Sequence, residues 1–198
     1  PHKSEKRAKG ISFFRGRDAQ APGKYCPHGE TSSRVWLKDN YRRKCPGTQR
    51  RCFCHGSNAE KKAKSLGLPI LGTIVDQAGE TDMPYGISWI PAMSIKEVLD
   101  RNGMTIDDMD LIEINEAFAA MPLVSTNILA GKDEQKWHKL LSKTNVNGGA
   151  IAIGHPVGAS GLRIAMTLMY ELRRRGGGQG VAAICGGLTQ GEGVIIRV

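Results

Sequence analysis

Asn145–Gly161 reads NVNGGAIAIGHPVGASG, and LRIAMTLMYELRRRGGG continues it to Gly178. Five of the first seventeen residues are glycine, so backbone can pass close to another group where a side chain would block it. Pro156 stops a helix from running through His155. Beyond it the pattern becomes helical. In SGLRIAMTLMYELRRRGGG apolar residues recur near a period of 3.6, basic residues fill the last turn and glycines form the stop. Apolar residues cover most of its circumference, so this helix, from about Ser160 to Arg175, is expected to be the most buried of the domain. His155 therefore sits in a backbone-built turn ahead of a core helix. No acid, base or nucleophile lies beside it in sequence, so its partners come from elsewhere.

Working outward, the same kind of punctuation repeats from Lys61 onward. AEKKAKSLGLP ends a helix at Gly67 and Pro69, and LPILGTIVDQA reads as the strand after it. SIKEVLDRNG has Ile95, Val98 and Leu99 on one face and Gly103 as its stop. Thr105 can cap the short turn TIDDM, whose Asp107 and Asp108 suit a helix N-terminus. DLIEI is a short strand, and NEAFAAMPLVSTNILAG is expected to begin a helix directly at the strand's end. DEQKWHKLLSK is a helix with one polar side. GVAAICGG is a buried strand, and a tight glycine turn would pair it with GEGVIIRV. This β/α alternation predicts a layered α/β domain with a mixed sheet covered by helices.

Charge divides the chain. Residues 1–65 hold 17 Lys and Arg against 5 Asp and Glu, a net +12, whereas the remainder holds 11 against 14, a net −3. Four of the five cysteines also fall in that first third. No window approaches the roughly 18 apolar residues of a membrane span, and no apolar core follows the basic N-terminal residues as in a secretory signal. Irregular cysteine spacing does not make a disulfide framework, so a reducing cytoplasm is the expected compartment.

Two further segments carry chemistry-bearing side chains. Asn115, in INEAFAA, falls where a strand gives way to a helix, a common position for groups that face a ligand crevice. On local grounds alone the helix-cap reading of Asn115 is the stronger one. Cys185, in ICGGLTQGEGV, ends a buried strand and is followed by two glycines. Its thiol can shuttle a proton, and the backbone of Gly186 and Gly187 can donate to an oxyanion. The plain alternative is a buried structural cysteine beside a turn.

NEAFA, GGAIAIGHPVGASG and CGG, in this order, resemble the C-terminal half of thiolases, the acetyl-CoA acetyltransferases and 3-ketoacyl-CoA thiolases. The resemblance covers residues 61–198. It implies that His155 activates a nucleophilic cysteine and helps bind the thioester oxygen. It further implies that Cys185 moves the proton of the substrate's α-carbon and that Asn115 holds a water of the same oxyanion site. The N–H of Gly187 would form a second oxyanion hole. Phe118 matches an aromatic lining the pantetheine channel, and Gly154 and Pro156 flank the histidine on the substrate side. Tyr85 stands where a methionine often borders the acyl pocket, and Leu188 replaces a glycine of the commoner CGGGGQG. The implied reaction is reversible acyl transfer between acyl-CoA thioesters, with coenzyme A thioester as substrate and no metal or organic cofactor. Homo-oligomers are implied as well.

The family's nucleophile belongs to an N-terminal half that residues 61–198 do not include, so this chain by itself is expected to be inactive. Cys26, Cys45, Cys52 and Cys54 match none of the nucleophile's family surroundings. Residues 1–60 lack a persistent period and read as a disordered basic segment. Their origin is suggested by back-translation. Tyr41–Asn58, YRRKCPGTQRRCFCHGSN, read one nucleotide later with permissive codons, gives TAGNA and then PGLNDGASVMAVM, close to the thiolase pattern before EKAKSLGLP. The expectation is a frameshifted translation whose frame is restored near Glu60–Lys62. Two rival readings make the segment functional. One is zinc binding through Cys26, His28, Cys45, Cys52, Cys54 and His55, which lack a C-x2-C pair. The other is a nucleic-acid-binding arm with Phe13, Phe14, Tyr25, Trp36 and Tyr41 among the basic residues.

Overall fold

Runs rich in Val and Ile collect into one mixed sheet, and the segments of 3.6-residue period pack on its two faces. The computed structural model describes residues 11–14 and 56–198. In chain order these give β1 (Ile11–Phe14), β2 (Gly56–Ala59), α1 (Glu60–Ser65), β3 (Gly72–Thr81), α2 (Ile90–Arg101), β4 (Leu111–Ile114), α3 (Ala120–Leu129), α4 (Glu134–Ser142), α5 (Ala150–Ile153), α6 (Val157–Arg174), β5 (Gln179–Gly186) and β6 (Gln190–Arg197). Short 3-10 turns occupy Gly86–Ser88, Ile106–Asp108 and Gly187–Thr189. The α/β architecture predicted from residue 61 is the one observed. Two four-residue strands come from the basic segment. The remainder of residues 1–60, including the disorder, zinc and nucleic-acid readings, lies outside the described residues.

The strand order is β2-β1-β3-β6-β5-β4. β5 and β6 form the expected antiparallel hairpin, β3 pairs antiparallel with β6, and β4 lies parallel to β5 at the far edge. A parallel neighbour needs a crossover, and the chain between β4 and β5 supplies it through α3 to α6. On one face α2, α3 and α4 enclose Ile95, Val98, Met121, Leu140, Ile112, Ile114, Val181 and Ile195. On the other, α6 sets Ile164, Leu168, Met169 and Leu172 against Leu111, Ala182 and Ile196.

Helix α2, rather than α6, is the most enclosed. Seven of its 12 residues are buried, against seven of 18 in α6. The cause is backbone proximity: at Gly193 an added Cβ would stand 2.7 Å from the Ser94 carbonyl oxygen. Strand β6 can therefore carry α2 directly on its surface, while α6 keeps an outer face to solvent. The expected stops are present, with Gly67 and Gly103 at φ +63° and +64°. Thr105 and Asp108 form the capping box of the turn at Ile106–Asp108.

Candidate active site

The expected helix start at Asn115 is corrected by the structure: α3 begins only at Ala120. Asn115 has no capping role. Its N–H donates to the Ala183 carbonyl at 2.9 Å, extending the parallel ladder of β4 and β5 by one bond. Its carboxamide is fully buried. Arg163 of α6, itself buried, donates from Nη2 to Asn115 Oδ1 at 2.8 Å. Asn115 Nδ2 faces His155 Nε2 at 3.3 Å. A charged side chain from another helix thus takes the oxygen that a cap would have used.

His155 reaches this point through two backbone devices. Gly154 takes φ +89°, which ends α5, and Pro156 caps the start of α6. The second ring nitrogen, Nδ1, lies 2.6 Å from Ser160 Oγ one turn into α6. Ser160 Oγ in turn donates to the Pro156 carbonyl at 3.3 Å, and Arg163 Nη1 to that of Gly154 at 3.4 Å. Burial and the nearby Arg163 guanidinium hold the imidazole below its usual pKa, so it is neutral at neutral pH.

The loop carrying His155 is also fastened from below. Asn145, at φ 47°, directs its side chain along β4: Oδ1 accepts from the Ile114 N–H at 2.8 Å, and Nδ2 donates to the Ile114 carbonyl at 2.9 Å. The Glu116 carboxylate accepts from the Ile151 N–H at 2.9 Å at the start of α5. It fills the space over Gly149, where a Cβ would meet the carboxylate at 2.5 Å. NEAFA and GGAIAIGHP are therefore interlocked through their own polar side chains.

Cys185 stands two residues past Ala183, at the same end of the β4/β5 pair as Asn115. It is half-buried, packs against the core cluster beneath α2, and its thiol is pushed up by burial. Gly187 follows in an exposed turn with open space where a side chain would start. The turn itself departs from expectation. Its left-handed residues are Leu188 at φ 58° and Thr189 at φ 56°, not glycines. Thr189 is fixed by donating Oγ1–H to the Pro84 carbonyl at 3.1 Å, which sets the Tyr85 segment beside the CGG turn. Tyr85 and Phe118 both expose their rings, at 70% and 60% of full exposure.

Asn115 and His155 are thus brought into contact, and Cys185 and Gly187 to the same end of the sheet. Arg163, Ser160, Glu113, Glu116 and Asn145 were not singled out by the sequence. For Arg163, Ser160 and Glu113 the signal was a polar residue inside an apolar pattern. Ser160 opens the series Ser160-Ile164-Leu168-Leu172 at four-residue spacing, with Arg163 beside it, and Glu113 interrupts LIEI. Burial pushes the Glu113 carboxyl up to about 8, against the attraction of Arg163 and with help from Glu116 and Glu171. Among the described residues no group of His, Cys, Asp or Glu could hold a metal ion, and no helix is long and apolar enough to cross a membrane.

Comparison with known proteins places this site. The family described as "Thiolase, C-terminal domain" matches residues 68–198. A probable acetyl-CoA acetyltransferase of Mycolicibacterium smegmatis is 47% identical over 136 residues, covering 69% of this chain and 33% of that protein. A 3-ketoacyl-CoA thiolase of Aliivibrio salmonicida is 44% identical over 139 residues, covering 70% and 35%. The crystal structure of human mitochondrial 3-ketoacyl-CoA thiolase superposes with a TM-score of 0.65 at 40% identity, over 72% of this chain and 34% of that one. The chain spans about a third of the length of these relatives. With the match covering the whole α/β unit from β3 to β6, the chain belongs to the thiolase family through its C-terminal domain.

Proposed function

We propose that this domain supplies the acid–base and oxyanion half of a thiolase centre, for reversible acyl transfer between coenzyme A thioesters. The observation that carries the reading is the contact of Asn115 with a neutral His155 at the C-terminal end of β4 and β5. A neutral imidazole can accept the proton of a nucleophilic cysteine thiol. In the synthetic direction the resulting thiolate adds to a thioester carbonyl carbon while the imidazolium, now an N–H donor, faces the oxyanion; collapse breaks the bond to coenzyme A, which leaves as its thiol with that proton. Such a preplaced donor is worth roughly 2.7–4 kcal/mol in acyl transfer.

Cys185 has the second role. In the cleavage direction the nucleophilic thiolate adds to the 3-keto carbon of a 3-ketoacyl thioester, the carbon–carbon bond breaks with the acyl group left on sulfur, and the departing enolate needs a proton at its α-carbon. A thiol whose pKa burial has raised is protonated at neutral pH and can deliver it. In the reverse direction the thiolate removes that proton. The N–H of Gly187 would bind the enolate oxygen, Phe118 and Tyr85 would border the thioester's arm and acyl group, and Gly154 and Pro156 would hold the histidine toward the substrate. No metal or organic cofactor enters these steps. The nucleophile comes from outside residues 61–198, as does the complementary surface for an oligomer.

The test is thiolysis of acetoacetyl-CoA by the purified chain, and by a frame-corrected protein in which residues 1–60 are read in the frame that gives TAGNA and are preceded by the nucleophile-bearing N-terminal half of a thiolase relative. The chain as it stands is expected to show no turnover above background. The frame-corrected protein is expected to turn over, with His155→Ala lowering the rate by about 10²–10⁴-fold. Turnover by the present chain that His155→Ala abolishes would refute the division of labour.

A further inference from the structure

We propose that Arg163 is a positioning residue: through the Asn115 carboxamide it fixes the tautomer of His155, so that an unprotonated Nε2 faces the site. The proposal rests on the thiolase reading only for the catalytic meaning of that nitrogen. The tautomer itself follows from donor and acceptor counting.

A guanidinium carries donors and no acceptor, so the atom of Asn115 that meets Arg163 Nη2 at 2.8 Å must be its carbonyl oxygen. The amide nitrogen is thereby turned toward His155, 3.3 Å from Nε2. An amide NH2 only donates, so Nε2 of the neutral ring accepts and its proton resides on Nδ1. Nδ1–H then donates to Ser160 Oγ at 2.6 Å, and the Ser160 hydroxyl passes its own hydrogen to the Pro156 carbonyl. The bonds run in one direction: Arg163 to Asn115 to His155 to Ser160 to backbone. Asn115 and Ser160 are fully buried and Arg163 nearly so, at 4% exposure. Among the described residues the Asn115 amide has these two side-chain partners, and the group that decides which way it points is the cation behind it. This order suits the chemistry, because Nε2 must be empty to take a thiol proton and filled to donate to an oxyanion.

The experiment reads the imidazole nitrogens directly, by long-range ¹H–¹⁵N correlation on the full chain labelled with ¹⁵N-histidine, at a pH where His155 is neutral. His155→Ala assigns its signals among the five histidines. The wild type is expected to show a pyridine-type Nε2 and a pyrrole-type Nδ1. Arg163→Lys, which keeps a donor-only cation, is expected to preserve that pattern. Arg163→Met combined with Glu113→Gln, which leaves no carboxylate alone in the interior, is expected to give the other tautomer or a mixture. Should that pair fail to fold, Asn115→Asp serves. It keeps an acceptor for Arg163 but offers Nε2 only an oxygen, so Nε2 is expected to become pyrrole-type.

A wild-type Nε2–H, or a folded Arg163→Met/Glu113→Gln protein with an unchanged tautomer, overturns the proposal. So does a pyridine-type Nε2 in folded Asn115→Asp. Failure of the thiolase reading would look different: the tautomer pattern would stand while the frame-corrected protein turned over indifferently to His155→Ala.

Discussion

The turn that carries His155 and the turn that carries Cys185 lie at the same end of the sheet, yet they are built in opposite ways. Around His155 the backbone strain is placed on a glycine, Gly154, and orientation is set by buried side chains: Arg163, Asn115, Ser160 and, beneath them, Asn145 and Glu116. Around Cys185 orientation comes from the β5/β6 ladder, which pairs Cys185 with Gly191. Strain there falls on Leu188 and Thr189, which take left-handed φ without being glycine. A ring with two distinguishable nitrogens needs a directed network to choose between them. A thiol has one reactive atom, and a strand end suffices to place it. Substitutions at the first turn should act through charge and hydrogen bonding, and those at the second through backbone conformation.

The largest effect is expected at Glu113, on the same strand as Asn115. Its carboxyl titrates near 8 when folded and near 4.5 when unfolded. The folded state thus holds the proton more tightly, and the stability this contributes is fully present below pH 4.5 and lost as pH rises through 8. The slope is about 1.4 kcal/mol per pH unit between those limits. His155 acts with the opposite sign, because its pKa is lowered on folding: its contribution is present above about pH 6.5 and lost on acidification. From pH 6.5 to 8, Glu113 is left as the larger of the two. Urea denaturation across that window should show falling stability in the wild type and little slope in Glu113→Gln, with the variant more stable by about 4 kcal/mol at pH 7.5. A variant less stable than wild type at pH 7.5 would mean that Glu113 is ionised there, as a partner of Arg163, and would replace the neutral network by an ion pair.

A smaller loss is expected from Ser160→Ala. It leaves His155 Nδ1, which faces the fully buried Ser160, without its partner 2.6 Å away, and such a loss typically costs about 1–3 kcal/mol. Cys185→Ala, by contrast, removes a half-buried thiol that makes no side-chain hydrogen bond within the network, and should change stability by about 1 kcal/mol or less. Parallel thermal melts of the two variants check the contrast. Equal losses would erase the distinction between a network-built and a ladder-built turn.

Most of the fold was legible because period and punctuation agree locally: each expected stop at Gly67, Gly103 and the Gly176–Gly178 run ends its element, and VAAI and VIIRV pair as a hairpin. The error in α3 is instructive. Asn115 followed by Glu116 and two alanines looks like a helix start, but a long-range partner, Arg163, 48 residues away, takes the side chain that would have capped it. Capping is inferred from neighbours in sequence, and no neighbour betrays a distant cation. The same limit explains why His155, Asn115 and Cys185 could be picked out by motif while Arg163 and Ser160 could not. Both sit inside a helix whose apolar pattern reads as core, and their roles appear only when β4 is laid against α6. The relative burial of α2 and α6 is hidden from the sequence for a related reason. Apolar circumference measures what a helix could bury, whereas Gly191 and Gly193 on another element determine how closely α2 packs.

The smallest expected effect tests the second turn alone. Leu188 is 92% exposed and sits at φ 58°, ψ 36°, a conformation that costs an L-residue other than glycine about 1–2 kcal/mol. Almost no burial offsets that cost, so Leu188→Gly removes strain without removing packing. Part of the gain is returned because glycine makes the unfolded chain more flexible. A net stabilisation of about 0.5–1 kcal/mol is expected, measurable as a raised urea midpoint at unchanged m-value. Thr189→Gly is the matched contrast, since Thr189 has the same left-handed φ but is buried and donates to the Pro84 carbonyl. There the lost hydrogen bond and packing should cancel or exceed the relief. If Leu188→Gly destabilises instead, the exposed leucine has a partner surface, and the turn beside Cys185 is held by contacts made outside this domain rather than by its own ladder.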